Sequence, residues 1–479
     1  MKNALEKKKK QSTELFAKEK YYILITAIIL IIPFLFRFNT VIPGDENYLI
    51  KRIATSIIEN KGLYDGLSFG GRDATYPLGS IIFYIIFNKL NDVFLVLIPI
   101  IFGLLTTYIY VKILKKFHID RKIIFTSFII LILSNAFLYN FTVFNFFTIP
   151  VFLFLLGFYL LLEKKYYTSV FIFSLMPFFG FFNFIITFFL ILFYMLYRRE
   201  FRNFLIYLIF VFVTGFIAFF WQIKNFGLPN YMIDNFAISL QNIITEFNGF
   251  GISLFVFLLS LIGLRKLWER KYEYLMIYIS LIFLLMFVFI DSRLILYLDF
   301  ILSYIAALGL ISIFKSKWES EIIKRITIFV LIFGIIFSSF SYVAKFKATM
   351  PDEGMYKGLV YLKENSDDGD VVFSHFKNGI YINSIANRKN FIDKNFVYAP
   401  NIKQRLRDNK ELLYSRNLKK TETLLNKYHI RYIVVTKDMK QGLVWNDDND
   451  GLLFVMKFSE NFIKVYESDE LEIWKYFRY

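Results

Sequence analysis

Apolar residues fill the first 343 positions in long blocks broken by short basic gaps, then thin into short segments among acids and amides. A bilayer core takes about 20 apolar residues per helix. On that measure the runs near 21–38, 93–114, 123–139, 146–162, 167–180, 182–197, 204–221, 251–264, 273–290, 294–311 and 326–343 predict eleven transmembrane helices. The stretches 123–162 and 167–197 are too long for one crossing, and each divides in two. Residues 81–87 are apolar but too short to span, and predict a segment at the interface or packed on the bundle.

Residues 345–479 hold no run of spanning length. Met355, Leu359 and Leu362 fall broadly on one side of a helix over 353–365. The segments 370–374 (DVVFS) and 431–437 (RYIVVTK) predict buried strands, 402–428 a helix or helix pair, and 452–458, 462–467 and 471–476 further strands. The fold class expected is a polytopic α-helical membrane protein with a C-terminal extracytoplasmic α/β domain.

Composition agrees, with 57% hydrophobic residues, 61 Phe and a mean hydropathy of +0.50. A net charge of +17 invites a nucleic-acid reading, but its placement argues otherwise. Lys7 to Lys10, Lys115-Lys116, Arg121-Lys122, Lys164-Lys165, Arg198-Arg199, Arg265-Lys266, Arg270-Lys271 and Lys324-Arg325 each flank or separate apolar runs. That is the positive-inside pattern, so the charge reports topology and contact with anionic membrane lipid, and no nucleic-acid partner is expected. It sets residues 1–20 in the cytoplasm, a membrane domain over 21–343, and 345–479 outside the cell membrane. The outer gaps 140–145 and 180–183 carry no Lys or Arg, and 221–251 carries only Lys224. The first span lacks a small-residue cleavage site and reads as a retained signal anchor. The absence of Cys excludes disulfide and thiolate chemistry, and His118, His375 and His429 are too scattered for a His-based metal site. The Lys-, Ile- and Phe-heavy, Cys-free usage fits an archaeal source.

The acids that stand out are in Pro43-Gly44-Asp45-Glu46-Asn47, just past the first span. Such carboxylates can bind a divalent cation or take a proton from an acceptor. Asp45 is equally suited to capping a helix over 48–60. The outer loop 39–78 continues through Asn60-Lys61-Gly62-Leu63-Tyr64-Asp65 and Gly70-Gly71-Arg72-Asp73-Ala74-Thr75-Tyr76-Pro77-Leu78-Gly79. A second outer loop, 222–250, includes Asp234, a possible cap for a helix over 235–244.

The order of acidic pair, amphipathic helix, Gly-rich turn and Tyr-Pro resembles the first outer loop of GT-C glycosyltransferases, more narrowly the archaeal oligosaccharyltransferase catalytic subunit. That resemblance implies a GT-C-like fold and transfer of a sugar or oligosaccharide from a polyprenyl (dolichyl) phosphate or pyrophosphate donor to an acceptor protein or glycan. It covers most of the chain in order. Ile243-Ile244-Thr245-Glu246 sits where the family has Ser/Thr-x-x-Glu, with Glu246 as the matching acid and Ile243 lacking the hydroxyl. Asp291-Ser292-Arg293 resembles the site of the Arg that holds lipid-linked phosphate, and Arg stays charged and can fork onto phosphate oxygens. Arg293 could instead snorkel to the interface or pair with Asp291. His375-Phe376-Lys377-Asn378-Gly379 aligns with the family's Trp-Trp-Asp-Tyr-Gly, of which only the Gly and one aromatic ring remain.

By resemblance, Asp45, Glu46 and Glu246 are the catalytic candidates, with Arg293 and Arg72, or Lys51-Arg52, for lipid phosphate. His375, Lys377 and Asn378 are acceptor-side candidates, although His375 also fits a plain strand-end residue. The family's Asp-x-Asp metal motif is missing from Asn140-Phe141-Thr142-Val143-Phe144-Asn145-Phe146-Phe147. Mg²⁺ or Mn²⁺ would then rest mainly on Asp45 and Glu246, with Glu46 and waters, and a metal-free route with Asp45 as general base stands beside it. Two other classes compete. One is a non-catalytic relative that binds lipid-linked glycan or a partner. The other is a transporter, for which the only clear mid-span acid is Asp299, two turns from Arg293 and a possible partner for it.

Overall fold

The computed structural model describes residues 2–35, 42–59, 62–73, 75–87, 92–199, 201–227, 251–447 and 449–477. Each of the eleven apolar runs is helical over most of its described length. Among the described residues, five helices are long and apolar enough by themselves to cross a membrane, and a sixth crossing would be the broken pair Arg121–Ile132 and Asn135–Thr142, bent by 62°. Thr148–Leu162, Tyr166–Phe179 and Leu275–Val288 are shorter apolar helices. The segment 81–87, expected at the interface or packed on the bundle, lies within the ten-residue helix Leu78–Phe87, which packs on helix Asp45–Ile58.

The break in 123–139 comes at Ser134. Its Oγ accepts from Phe137 N at 3.1 Å and caps the second half. The same hydroxyl donates to Asp299. Asp299 is therefore held by Ser134 and is not a partner of Arg293. Helix Ile295–Lys315, which carries Asp299, is the hub of the bundle and is buried along most of its length. Gly309 on it and Gly263 on helix Leu254–Trp268 let the two backbones touch: an added Cβ would stand 2.0 Å from Leu259 O and 1.9 Å from Ile305 O. Small residues at such crossings are how apolar helices approach closely. Helix Phe201–Phe226 behaves oppositely, turning Ile209, Phe212, Phe216 and Ile217 outward.

A hairpin, β1 (Tyr64–Asp65) and β2 (Arg72–Asp73), lies within the first loop. The C-terminal sheet is built from β3 (Val371–Phe373), β4 (Lys389–Asn390), β5 (Ile430–Thr436), β6 (Phe462–Glu467) and β7 (Leu471–Tyr476), in the order β4-β3-β5-β7-β6. Strand β3 pairs parallel with β4 and β5, so three carboxyl ends meet at one edge; β7 runs antiparallel to β5 and β6. One sheet face, with Val372, Tyr432, Val434 and Ile473, is continuous with the core of the helical bundle. The other face, with Phe373, Ile433, Val435 and Trp474, closes a second core under helices Ile402–Tyr414, Leu418–Lys427 and Gly451–Phe458. The expected strand at 452–458 is thus a helix. Its buried Leu452, Leu453, Val455 and Met456 follow helical spacing, which an unbroken apolar run does not reveal in sequence.

Candidate active site

The acid pair opens helix Asp45–Ile58, with Gly44 in the cap position. Asp45 is not the cap: its Oδ1 accepts from the adjacent Glu46 N at 2.9 Å. Acids in a first turn also suit the positive end of the helix dipole. Gly44 has φ +84, and a Cβ there would stand 2.3 Å from Val143 Cγ1. Its N–H donates to Thr349 O at 2.8 Å. One glycine thus presses the acid pair against the broken-helix loop on one side and the start of the C-terminal layer on the other.

Successive side chains from this turn point to different surroundings. The Glu46 carboxylate accepts from Phe146 N at 3.0 Å through Oε2 and from the Arg293 guanidinium at 2.9 Å through Oε1. Arg293 spends its other edge on Asp291, with contacts of 2.9 Å from Nε and 2.7 Å from a terminal nitrogen, and lies 5.0 Å from the centre of the Phe147 ring. The Asp45 carboxylate instead meets Lys394 Nζ at 2.5 Å.

Two cavities flank the pair. Glu46, Arg293 and Asp291 line one of about 360 Å³, walled by Phe146, Phe147, Phe179, Phe181 and Phe182. Three cations (Arg72, Arg293, Lys394) and two acids (Glu46, Asp291) face it. Asp45 lines the other, of about 1090 Å³. That cavity lies over the carboxyl ends of the parallel strands: Lys377 and Asn378 follow β3, Lys394 follows β4, and Lys437 and Asp438 follow β5. Such ends are where ligands settle on parallel sheets. Tyr139 and Lys394 line both cavities.

The sequence candidates divide accordingly. Asp45, Glu46 and Arg293 come together; Glu246, with Ile243 and Asp234, lies outside the described residues. Arg72 lines the smaller cavity but its terminal nitrogens are committed to Asn395 O (2.6 Å), Val397 O (2.5 Å) and Thr75 Oγ1 (3.1 Å). Its place is a clamp on the C-terminal layer. Arg52 is likewise engaged, bound to Asp65 at 2.7 Å. Burial acts to raise the Asp65 carboxyl, but the Arg52 guanidinium and hydrogen bonds from Arg52, Tyr76 and Ser68 outweigh it and hold it below the usual range.

Lys377 and Asn378 line the larger cavity, with Asn378 Nδ2 donating to Ser374 Oγ at 3.0 Å. His375 lines neither. It is buried against Phe376, and burial together with the Lys377 charge pushes its imidazole down to about 4. Sequence reasoning missed Lys394, Tyr139 and the Phe146 N–H. Only Lys394 carried a signal, as a Lys in a polar stretch beyond a short strand of a parallel sheet.

The fold is that of the GT-C membrane glycosyltransferases, to which similar solved structures belong. The oligosaccharyltransferase of Archaeoglobus fulgidus in its apo form superposes with a TM-score of 0.62 at 12% identity, over 93% of this chain and 73% of that one. The arabinofuranosyltransferase AftD from Mycobacteria gives 0.56 at 12% identity, over 96% and 40%. ArnT from Cupriavidus metallidurans bound to undecaprenyl phosphate gives 0.53 at 10% identity, over 95% and 97%. Likeness at these identities is likeness of fold. No protein family and no curated protein matches the sequence.

Proposed function

We propose that the chain is a membrane glycosyltransferase that moves a sugar or oligosaccharide from a polyprenyl phosphate or pyrophosphate carrier to an acceptor at the outer face of the membrane. The observation that carries this is the acid pair on one helical turn, with Glu46 and Arg293 facing an aromatic-walled cavity and Asp45 facing a separate, larger one. In this reading the donor phosphate rests by Arg293, whose side chain is 38% exposed and keeps donors toward the cavity. The acceptor hydroxyl or amide enters from the side of Lys377 and Asn378 and gives its proton to Asp45. The bond from anomeric carbon to phosphate oxygen breaks as the bond to the acceptor forms. Carboxylates beside the developing positive carbon and cations beside the leaving phosphate both stabilise that separation.

The family resemblance implies a divalent ion, and Mg²⁺ or Mn²⁺ demands about six oxygens in near-octahedral order. Glu46 has both oxygens engaged, Asp45 is paired with Lys394, and no group of three His, Cys, Asp or Glu converges among the described residues. The described residues alone do not make up that set, and Glu246, the other metal candidate, lies outside them.

The test is transfer of label from a radiolabelled polyprenyl-linked sugar in membranes, wild type against Asp45→Asn. Transfer by the wild type alone supports the reading; equal transfer by both removes its core. A non-catalytic, glycan-binding relative is the second reading, favoured by the fact that Asp45 and Glu46 are both ion-paired. It predicts donor binding without transfer.

A further inference from the structure

We propose that the Lys394 ammonium is the resident cation of the acid pair, standing where a divalent ion would otherwise be needed, so that the site works without metal. This rests on the transferase reading but is carried by different contacts. Lys394 Nζ is 2.5 Å from Asp45 Oδ2, and Lys394 lines both cavities. An ammonium has three donors, so one can hold Asp45 while others remain toward the cavities. Without that charge, Arg293 and the committed Arg72 would be the cations left among the described residues lining the smaller cavity to offset Glu46, Asp291 and the adjoining Asp45 against an incoming phosphate, and like charges repel strongly where water is scarce.

The backbone on both sides of Lys394 is fixed by the first loop. Before it, Asn390 N donates to Leu67 O at 3.0 Å, Phe69 N to Asn390 Oδ1 at 2.8 Å, and Ser68 Oγ to Asp393 Oδ2 at 2.7 Å. After it, Asn395 N donates to Asp393 Oδ1 at 2.8 Å and Arg72 grips Asn395 O and Val397 O. Arg405 ties the same two segments, donating to Phe391 O at 2.7 Å and Phe69 O at 2.9 Å. A long, flexible lysine is thus launched from a rigid base, the arrangement that makes a site charge effective. The loop that would supply a second metal-binding acid supplies the Phe146 N–H to Glu46 instead. Lysine delivery and the missing carboxylate are two sides of one design.

The experiment uses the full-length protein, with two readouts. Mn²⁺ binding is followed by electron paramagnetic resonance for wild type, Lys394→Met and Asp45→Asn. Wild type is expected to bind no stoichiometric Mn²⁺; a stoichiometric site that Asp45→Asn abolishes overturns the proposal even if no transfer is ever detected. Sugar transfer is then measured with EDTA present. Wild type is expected to keep its turnover, Lys394→Met to lose about 100-fold in kcat, as when one charge-stabilising donor is removed, and Lys394→Arg to recover a substantial part. Loss of wild-type turnover in EDTA, restored by Mn²⁺, overturns the proposal, as does full turnover in a folded Lys394→Met. Absence of transfer in wild type fails the transferase reading, leaving Mn²⁺ binding to decide this one.

Discussion

The two cavities beside the acid pair are built from different parts of the molecule. The smaller is walled by helix ends and phenylalanines, and its charges are locked: Glu46 between Arg293 and a backbone N–H, Arg293 between Glu46 and Asp291. The larger is floored by the ends of parallel strands, and Asp45, which lines it, is paired there with Lys394 on a loop. A fork-shaped cation in an aromatic wall suits a phosphate on an apolar tail, two of whose oxygens the guanidinium can meet. Solvated strand ends with lysines and an amide suit a polar acceptor. What separates the two is the first turn of one helix, so adjacent residues in sequence serve opposite compartments.

Mutations can break this division. The largest effect is expected from Asp45→Asn: on the proposed reading it removes the proton acceptor together with the ion pair to Lys394 and should lower transfer by about 1000-fold or more, with donor affinity changed far less because Asp45 faces the larger cavity. Donor affinity and turnover, measured separately, check it. Next, Arg293→Lys should weaken donor binding by about 10- to 100-fold, because a point charge cannot fork onto both Glu46 and Asp291 and still meet phosphate. Titration of a polyprenyl phosphate into purified protein reads this directly, and unchanged affinity would move the phosphate elsewhere.

Arg72→Ala separates the clamp from a phosphate ligand. It leaves the Asn395 and Val397 carbonyls without their charged donor and should destabilise the protein by about 1–3 kcal/mol. Transfer should fall mainly through kcat, with donor affinity little changed. A selective loss of donor affinity would return Arg72 to the phosphate.

The smallest effect concerns pH. The His375 imidazole is pushed down to about 4 in the folded protein by burial and Lys377, against about 6.5 in an unfolded chain. Between those values the unfolded chain binds the extra proton, so this stabilisation is full above about pH 6.5 and is lost as pH falls toward 4. It should amount to about 1–3 kcal/mol. Thermal unfolding of His375→Phe should show a flatter acid limb than wild type; an identical limb would mean the imidazole is not the group titrating.

Much of the architecture was legible in the chain. Each of the eleven long apolar runs between basic gaps is helical over most of its described length, because a chain in an apolar medium has to satisfy its backbone internally. The short segments 370–374, 431–437, 462–467 and 471–476 gave β3, β5, β6 and β7. Residues 452–458 failed because the less buried positions Phe454 and Phe458 are apolar too, so the run carries no period to read. The bend at Ser134 failed because a lone serine in an apolar run does not announce that it will cap a new helix and meet Asp299. Arg72 shows another limit: sequence offered it as a phosphate candidate but could not say that carbonyls 323 and 325 positions away would take its donors.

By itself the sequence determined the membrane class, the helical segments, and Asp45, Glu46 and Arg293 as candidate chemistry, since these follow from local composition, spacing and motif order. Only the tertiary structure decided who pairs with whom. Glu46 and Arg293 are 247 positions apart yet share a hydrogen bond. Lys394 reaches Asp45 from the far C-terminal layer because the first loop holds its neighbours in place. Charge partners are chosen by distance in space, and in a chain of this length that distance is set by packing that no local pattern encodes.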